Sequence, residues 1–392
     1  MQLMHKKWAI ALAGITAIAM ISLALAPGIL ETRMNIVLPH EPYQISPEAR
    51  TLHDTLTVAD LHSDSTLWRR NLLKRGNRGH VDVPRMREGN VALQMFTSVT
   101  RSPRGQNYEE NSDQAFDNIT LLALVQSWPI ATWNSLTARA LYQAQKLKSL
   151  ETRAPSEFQM IYSAEDLSRL LQRRSSGEAV VGGILGTEGS HALDGNLDNI
   201  ETLFAAGFRM MSLQHFFDNK LGGSLHGQSG DGLSSFGAQS IDKMLQLGVM
   251  IDVSHSSPAV VADVLKRSQK PLIVSHTGFH GHCKSSRNIP DELMIAIAEN
   301  GGLIGVGYWN AAICDATPKG IVDAIRYGID LVGVEHVALG SDFDGSVAAP
   351  LDTSELSSLT HQMLAQGFSE GEIRAVMGEN IIRFLAKNLP PQ

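Results

Sequence analysis

Eight short apolar runs recur along the chain, and a polar loop and a stretch with helix signals follow most of them. The runs are continuous rather than alternating, which is typical of strands buried on both faces of a parallel sheet. We predict strands at residues 58–64, 91–99, 180–189, 208–215, 249–255, 271–277, 302–309 and 336–343. This pattern favours an α/β fold, a (β/α)8 TIM-like barrel. A doubly wound open sheet is the competing architecture.

Helix starts can be recognised between the predicted strands. Ser-Pro at 257–258 and Thr-Pro at 317–318 each offer an N-cap followed by proline in the first turn. Ser369 and Glu372 have the spacing of a capping box. The longest interval between runs, residues 100–179, predicts an enlarged helical region of the barrel that is interrupted at Pro129.

The N-terminus departs from this globular pattern, because residues 8–26 contain no charge and follow Lys6 and Lys7. Such a stretch can span a bilayer, and the lysines predict a cytoplasmic start with an exported remainder. A cleaved signal peptide is the alternative, although Pro27 disfavours cleavage after Ala26. We therefore expect a signal anchor or signal peptide over 1–26, a linker over 27–45 and a barrel domain over 46–392.

Composition adds two limits. The net charge of −7 and the lack of a basic cluster argue against a nucleic-acid partner. Only Cys283 and Cys314 occur, without the spacing of a zinc motif. They are either two free thiols or a disulfide, which an exported protein can form. Because they follow the adjacent sixth and seventh predicted strands, we hypothesise a disulfide on one rim of the barrel.

Side chains that can bind metal lie at the ends of six of the eight runs. In a barrel these strand ends converge on one mouth, and buried carboxylates and imidazoles at such density require a cation. Nitrogen and oxygen donors without thiolate suit zinc, with manganese or cobalt as alternatives. Five ligands suit two ions if Glu188 bridges them. The strand-end residues are His62, Asp64, Glu188, His215, His255, His276 and Asp342.

Taken together, the motifs resemble the membrane (renal) dipeptidases, the zinc peptidase family M19 of the amidohydrolase-like barrels. Each motif alone is weak, whereas the combination is specific and covers the chain from about residue 50 to the C-terminus. The matching stretches lie at 60–64, 80–96, 183–193, 212–219, 232–257, 271–277, 286–291, 340–345 and 378–385.

The resemblance implies a zinc-dependent dipeptidase in which a hydroxide bridges two zinc ions per chain. His62 and Asp64 correspond to ligands of one zinc, His255 and His276 to ligands of the other, and Glu188 to the bridge. His215 corresponds to the histidine that reaches the substrate carbonyl. Arg287 corresponds to the arginine that binds the substrate carboxylate. Asp342 corresponds to the catalytic aspartate near the substrate amine, with Asp344 as the neighbouring alternative.

Two departures from the family pattern leave alternatives open. Gln214 stands where the family has threonine, and residues 100–179 are longer than expected. That segment could cover the mouth, alter specificity or form an oligomer contact such as a homodimer.

Another metal hydrolase activity, on an N-acyl amino acid, lactone, phosphoester or β-lactam, is the main alternative to a dipeptidase. A non-catalytic tethered binding protein is disfavoured by the complete ligand set. We expect a free dipeptide as substrate. The N-terminus predicts attachment to the periplasmic face of a bacterial inner membrane, or release into the periplasm after cleavage.

Overall fold

A computed structural model describes residues 25–391 together with His5 and Trp8. The strands are β1 (Ile36–Val37), β2 (Val58–Asp60), β3 (Val91–Val99), β4 (Phe158–Met160), β5 (Val181–Glu188), β6 (Phe208–Ser212), β7 (Met250–Asp252), β8 (Ile273–Thr277), β9 (Leu303–Val306), β10 (Val337–Leu339) and β11 (Ala348–Ala349). Eight parallel strands form the barrel, in the order β2-β3-β5-β6-β7-β8-β9-β10. Each lies within one of the eight predicted runs, so the predicted barrel is confirmed.

The first and last barrel strands meet and close the ring. The Leu61 amide donates to the Leu339 carbonyl at 3.0 Å, and Ser63 pairs with Phe343 in parallel. The short strand β4 pairs with residues 181–183 of β5, on the amino-terminal side of the residues of β5 that pair with β6. Closure matters for the site because it brings the loops after β2 and β10 side by side.

Helices surround the barrel, and their starts follow the predicted signals. The hydroxyl oxygens of Ser257 and Thr317 cap their helices with proline in the first turn, and Ser369 and Glu372 form a capping box. The α-helices are Pro47–His53, Val83–Glu88, Asn118–Val125, Leu136–Arg153, Ala164–Ser175, Asp198–Ala205, Ser235–Leu247, Pro258–Arg267, Asp291–Glu299, Asn310–Ile313, Pro318–Val332, Ser357–Ala365, Glu370–Arg374 and Asn380–Asn388.

An apolar cluster fills the barrel near the amino ends of the strands. Leu93, Met210 and Leu303 from the strands belong to it, as do Phe384 and Leu385 from the helix Asn380–Asn388. All of these side chains are buried. Removing this apolar surface from water stabilises one end of the barrel and leaves the carboxyl ends for polar chemistry.

Residues 100–179 hold several elements of the barrel periphery rather than a separate unit. The predicted interruption at Pro129 is present, because the helix Asn118–Val125 ends before it and Leu136–Arg153 begins after it. The Arg139 guanidinium of the second helix binds Asp117, which caps the first helix, and the Thr100 carbonyl. The two helices are therefore fixed to the end of β3, beside the barrel mouth.

Residues 27–45, predicted as a linker, pack on the barrel instead of running free. Residues 25–34 are helical, and β1 pairs in parallel with β11. Glu31 is buried, and its carboxylate binds the guanidinium groups of Arg70 and Arg78. The linker prediction rested on local composition, which carries no information about an ion pair with residues 39 and 47 positions away.

The predicted anchor or signal peptide, residues 1–26, lies almost entirely outside the described residues. Within the part of the chain that the structure describes, no helix combines the length and apolar character needed to cross a membrane.

The hypothesised disulfide is present between Cys283 and Cys314. It joins the loop after β8 to the loop after β9 and closes a chain separation of 31 residues. Arg287 lies four positions after Cys283, so the disulfide restrains the loop that carries it.

Candidate metal centre and active site

The predicted site residues meet at the carboxyl ends of the barrel strands. His62 and Asp64 follow β2, Glu188 ends β5, and His276 lies within β8. His215, His255 and Asp342 each lie three positions beyond the end of β6, β7 and β10. All seven side chains are buried. The sequence therefore identified residues that are up to 280 positions apart and that the fold brings together.

Glu188 lies at the centre of this group. Its Oε1 atom is 3.2 Å from His255 Nε2, 3.3 Å from His276 Nε2 and 3.5 Å from His62 Nε2. Its Oε2 atom is 3.4 Å from His215 Nε2. One carboxylate thus reaches both predicted ligand sets.

His62 lies beside two further carboxylates. Its Nε2 atom is 3.7 Å from Asp64 Oδ2 and 3.9 Å from Asp342 Oδ1. Three groups of side chains have ligand atoms close enough to share an ion: His62 with Asp64 and Glu188, His62 with His276 and Asp342, and Glu188 with His215 and His255. His215 and Asp342, predicted to contact substrate, thus also lie within reach of a metal ion.

A serine beneath the centre orients two of the imidazoles. Ser275 Oγ donates to Asp252 Oδ2 at 2.7 Å, which uses its single hydrogen. It can then only accept from His62 Nδ1 at 2.9 Å and from His276 Nδ1 at 3.0 Å. Both imidazoles therefore carry their hydrogen on Nδ1 and present the Nε2 lone pair to the site, as metal ligation requires.

The protonation energetics of the cluster fit a bound cation. Burial raises the pKa of the Glu188 carboxyl well above its usual range, and the Asp64 and Asp342 carboxylates add to the effect. Burial also raises the pKa of Asp342 to about 8 and lowers the pKa of His255 and His276 well below the usual histidine value. For His62, burial lowers the pKa but the Asp64 and Asp342 carboxylates outweigh it and raise the pKa above its usual value. Imidazoles and crowded carboxylates are the donor set that divalent zinc prefers, so these residues fit the metal.

Arg287 is also buried, and its guanidinium is fixed from three sides. It donates through Nη1 to the Ser254 carbonyl at 3.1 Å and through Nη2 to the His276 carbonyl at 2.8 Å. Its Cζ atom lies 5.3 Å from the centre of the Trp309 ring. A guanidinium has five N–H donors, so donors remain for an anionic ligand in the cavity that Arg287 lines.

The structure separates the roles of the two aspartates that follow β10. Asp342 lines the cavity next to His62. Asp344 instead accepts from the Ser65 hydroxyl and the His80 amide and pairs with Arg70. Burial opposes its ionisation, but the Arg70 guanidinium holds the pKa of Asp344 well below its usual range. Asp344 therefore anchors the loop, and Asp342 is the residue available for chemistry.

Three residues near the site were not predicted to contribute to it. Tyr108 lies in the loop after β3 and lines the cavity. His226 packs against Phe216 with ring centres 4.9 Å apart, and His255 is next to both. Ser275 precedes a predicted ligand, which was its only sequence signal.

Gln214 stands where the family has threonine. It is buried and accepts a hydrogen bond from the Ser256 hydroxyl at 2.7 Å, which links the loops after β6 and β7.

A cavity of about 420 Å³ opens above the centre. Glu188, His215, His255, Arg287 and Asp342 line its polar end. This volume lies within the range of small-molecule sites.

The sequence profile described as "Membrane dipeptidase (Peptidase family M19)" matches residues 46–389. The chain belongs to this family. The predicted family is thus confirmed, and with it the class of activity, dipeptide hydrolysis by a metallopeptidase.

Individual relatives agree with the family assignment. The curated protein "Dipeptidase aclJ" of Aspergillus oryzae is 27% identical over 359 residues, which cover 84% of this chain and 77% of that protein. The solved structure of the probable dipeptidase PvdM from Pseudomonas aeruginosa superimposes with a TM-score of 0.71 at 19% identity, covering 87% of this chain and 98% of that one.

A metallo peptidase from Rhodobacter sphaeroides, liganded with a phosphinate mimic of the dipeptide L-Ala-D-Ala, gives a TM-score of 0.66 at 23% identity. The match covers 85% of this chain and 99% of that one. At these identities the two solved structures establish a shared fold.

Proposed function

We propose that the chain hydrolyses free dipeptides at a centre of two divalent metal ions and that these ions are zinc. The observation that carries this proposal is the position of Glu188, one oxygen of which faces His62, His255 and His276 together. His62 and Asp64 would hold one ion, His255 and His276 the other, and Glu188 both. Such ions, when bound, polarise a carbonyl and make water a stronger nucleophile near neutral pH.

The protein's own side chains position the substrate and move the proton. Arg287 pairs with the C-terminal carboxylate of the dipeptide, because its fixed planar guanidinium matches a carboxylate through two hydrogen bonds. Asp342 accepts the proton of the attacking water and delivers it to the leaving amine.

His215 provides the third contact. Its Nδ1 atom lies 3.3 Å from the Arg101 carbonyl, which fixes the ring with Nε2 towards Glu188. Because Nδ1 faces a carbonyl, it carries the hydrogen of the neutral ring, and burial lowers the pKa of His215 to about 4. Nε2 therefore donates to the oxygen of the scissile carbonyl only when the negative charge that develops there holds a second proton on the ring, a contribution whose loss typically costs two to three orders of magnitude in rate.

The test is hydrolysis of a panel of dipeptides by the full-length protein, with metal content measured on the same sample. We expect about two metal ions per chain and cleavage of free dipeptides. N-acetylated and C-amidated versions of the same dipeptides serve as controls, and we expect them to be poor substrates because each lacks one charged end. Faster cleavage of N-acyl amino acids than of free dipeptides would instead favour the alternative amidohydrolase activity.

We also propose that the protein is exported and attached to the membrane by its N-terminal segment. The charge-free stretch at 8–26 supports this, and the disulfide Cys283–Cys314 suits an oxidising compartment. Fractionation of cells with N-terminal sequencing of the purified protein tests it, because an uncleaved anchor and a removed signal peptide give different N-termini. The expected homodimer is tested separately, by the molar mass of the purified protein in solution.

A further inference from the structure

One side of the cavity is an apolar wall that the proposed chemistry does not use. We call it the apolar wall. Two residues of the N-terminal helical segment and four of the helix Asn118–Val125 contribute to it, together with residues from the loop after β2 and the end of β3. Its members are Leu30, Met34, Leu67, Trp68, Val99, Ile119, Leu121, Leu122 and Val125.

The position of the apolar wall relative to Arg287 indicates which part of a dipeptide reaches it. The helix Asn118–Val125 follows β3, and Arg287 follows β8. In the closed order of eight strands, β3 and β8 are four places apart in either direction and therefore lie on opposite sides of the mouth. The loop between β3 and this helix crosses to the loop of Arg287, where the Ser286 hydroxyl donates to Glu109 at 2.9 Å. The helix itself is held beside β3 through Arg139 and the Thr100 carbonyl. A dipeptide whose carboxylate binds Arg287 therefore directs its amino-terminal residue towards the helix.

The polar residues of the site support the same direction. Asp342, proposed to act beside the substrate amine, follows β10, which is next to β2 and one strand away from β3. Leu67 and Trp68 lie in the loop after β2, and the Trp68 indole donates to the Asp344 carbonyl at 2.7 Å. The apolar wall thus begins beside the amine position and not beside the carboxylate position.

Ion pairs fix the two helical elements that form most of the apolar wall. The buried Glu31 carboxylate binds Arg70 and Arg78 and so fixes the helical segment that carries Leu30 and Met34. Arg139 fixes the cap of the helix that carries Leu121. Because these elements are fixed before substrate arrives, little ordering cost opposes binding.

The structure assigns to this wall the side chain of the first residue of the dipeptide, and we infer that the enzyme prefers dipeptides with a large apolar first residue such as leucine or phenylalanine. This inference rests on the proposed function. Apart from the groups of the metal centre, Asp342 and Arg287, no charged side chain lines the described cavity, which disfavours lysine, aspartate or glutamate at that position. Burial of one leucine side chain predicts a kcat/KM for Leu-Ala roughly 10- to 100-fold above that for Gly-Ala.

The experiment compares kcat/KM for Leu-Ala, Phe-Ala, Gly-Ala, Lys-Ala and the reversed Ala-Leu in the full-length metal-loaded enzyme. Met34→Gln and Leu121→Gln change wall residues that are 41% and 52% exposed, so these substitutions leave the core intact. The matched controls are Ile29→Gln and Leu124→Gln, which are 50% and 42% exposed on the same two helices but do not line the cavity.

We expect each wall variant to lower the ratio of the Leu-Ala to the Gly-Ala rate constant by roughly three-fold or more, and the controls to leave it unchanged. The ratio is measured within one protein sample, so it does not depend on the folded fraction. Equal rates for all first residues, a preference expressed only at the second residue, or equal effects of wall and control variants would overturn the inference. Failure to cleave any dipeptide would overturn the proposed function instead.

Discussion

Replacing Ser275 by alanine tests whether the hydroxyl beneath the centre orients the ligands. The hydroxyl accepts from one imidazole of each proposed ligand set, His62 at 2.9 Å and His276 at 3.0 Å. Without it, both buried Nδ1–H groups lose their acceptor, and neither ring is held with Nε2 towards the metal. Loss of such an outer hydrogen bond typically costs 10- to 100-fold in metal affinity. Because one hydroxyl serves both sets, we expect both ions to bind at least roughly ten-fold more weakly.

The assay is competition for zinc between the purified protein and a chelator of known affinity, followed for both ions. Thermal unfolding of the metal-free protein gives a second measurement, since each buried N–H group left without a partner costs about 1–3 kcal/mol. The expected loss of stability in Ser275→Ala is therefore a few kcal/mol even without metal.

Ser254→Ala is the matched control. Ser254 is as buried as Ser275, and its hydroxyl also donates to Asp252, at 2.6 Å. It lies 3.0 Å from Ser275 Oγ and accepts from the His276 backbone amide at 3.3 Å, but it makes no hydrogen bond to an imidazole ring. We expect this control to lose stability while its metal affinity changes by less than about three-fold, well below the loss of an outer bond to a ligand. Wild-type metal affinity in Ser275→Ala, or an equal loss of affinity in the control, would refute the argument.

Three further substitutions test other parts of the structure. Arg287→Lys should raise KM for free dipeptides by roughly ten-fold or more, because lysine cannot pair with a carboxylate through two hydrogen bonds. The ratio of kcat/KM for free dipeptides to that for C-amidated dipeptides should fall as well, and steady-state kinetics on both substrates checks this. Asp344→Asn removes one of the two buried carboxylates that pair with Arg70, the other being Glu31, so we expect about 1–3 kcal/mol of lost stability in thermal unfolding. Burial lowers the pKa of Lys146 to about 7, whereas the unfolded chain keeps this proton to about pH 10. The unfolded state thus binds more protons between these values, and stability from this group rises with pH there. Lys146→Met should flatten that slope in urea unfolding measured from pH 7 to 10.

The sequence was informative wherever a signal was local or repeated. Continuous apolar runs located all eight barrel strands. Seven of the strands are shorter than their runs, and β2, β6, β7 and β10 end before the polar residue that their runs include. Convergence at one mouth followed from the barrel geometry itself. The resemblance then predicted a role for each residue, and the structure brings these residues together at the carboxyl ends of the strands, where six of the eight line one cavity.

The contacts that the sequence could not predict join distant residues of ordinary type. Glu31 and Arg70 form a buried pair that no local pattern marks, which is why the packed N-terminal segment was predicted as a linker. Ser275 differs from a solvent-exposed serine through its contacts with Asp252, His276 and His62, the last of which is 213 positions away. Residue type alone also does not tell whether a side chain binds metal or substrate. His215, predicted to contact substrate, lies close enough to Glu188 and His255 to share a metal ion with them.

The aspartates Asp60 and Asp252 show why the metal centre is supported by polar rather than apolar residues. Each is buried at the end of its strand and accepts a hydrogen bond from the neighbouring part of the barrel, Asp60 from Ser341 in the loop after β10 and Asp252 from Ser275 in β8. Burial raises the pKa of Asp60, so its charge lowers stability relative to an apolar residue of the same shape. An apolar layer would pack well but could not fix the rotation of an imidazole, whereas a chain of hydrogen bonds has one preferred arrangement. The barrel therefore gives up some stability at this layer, and in return the ligand atoms are held in place before metal or substrate arrives.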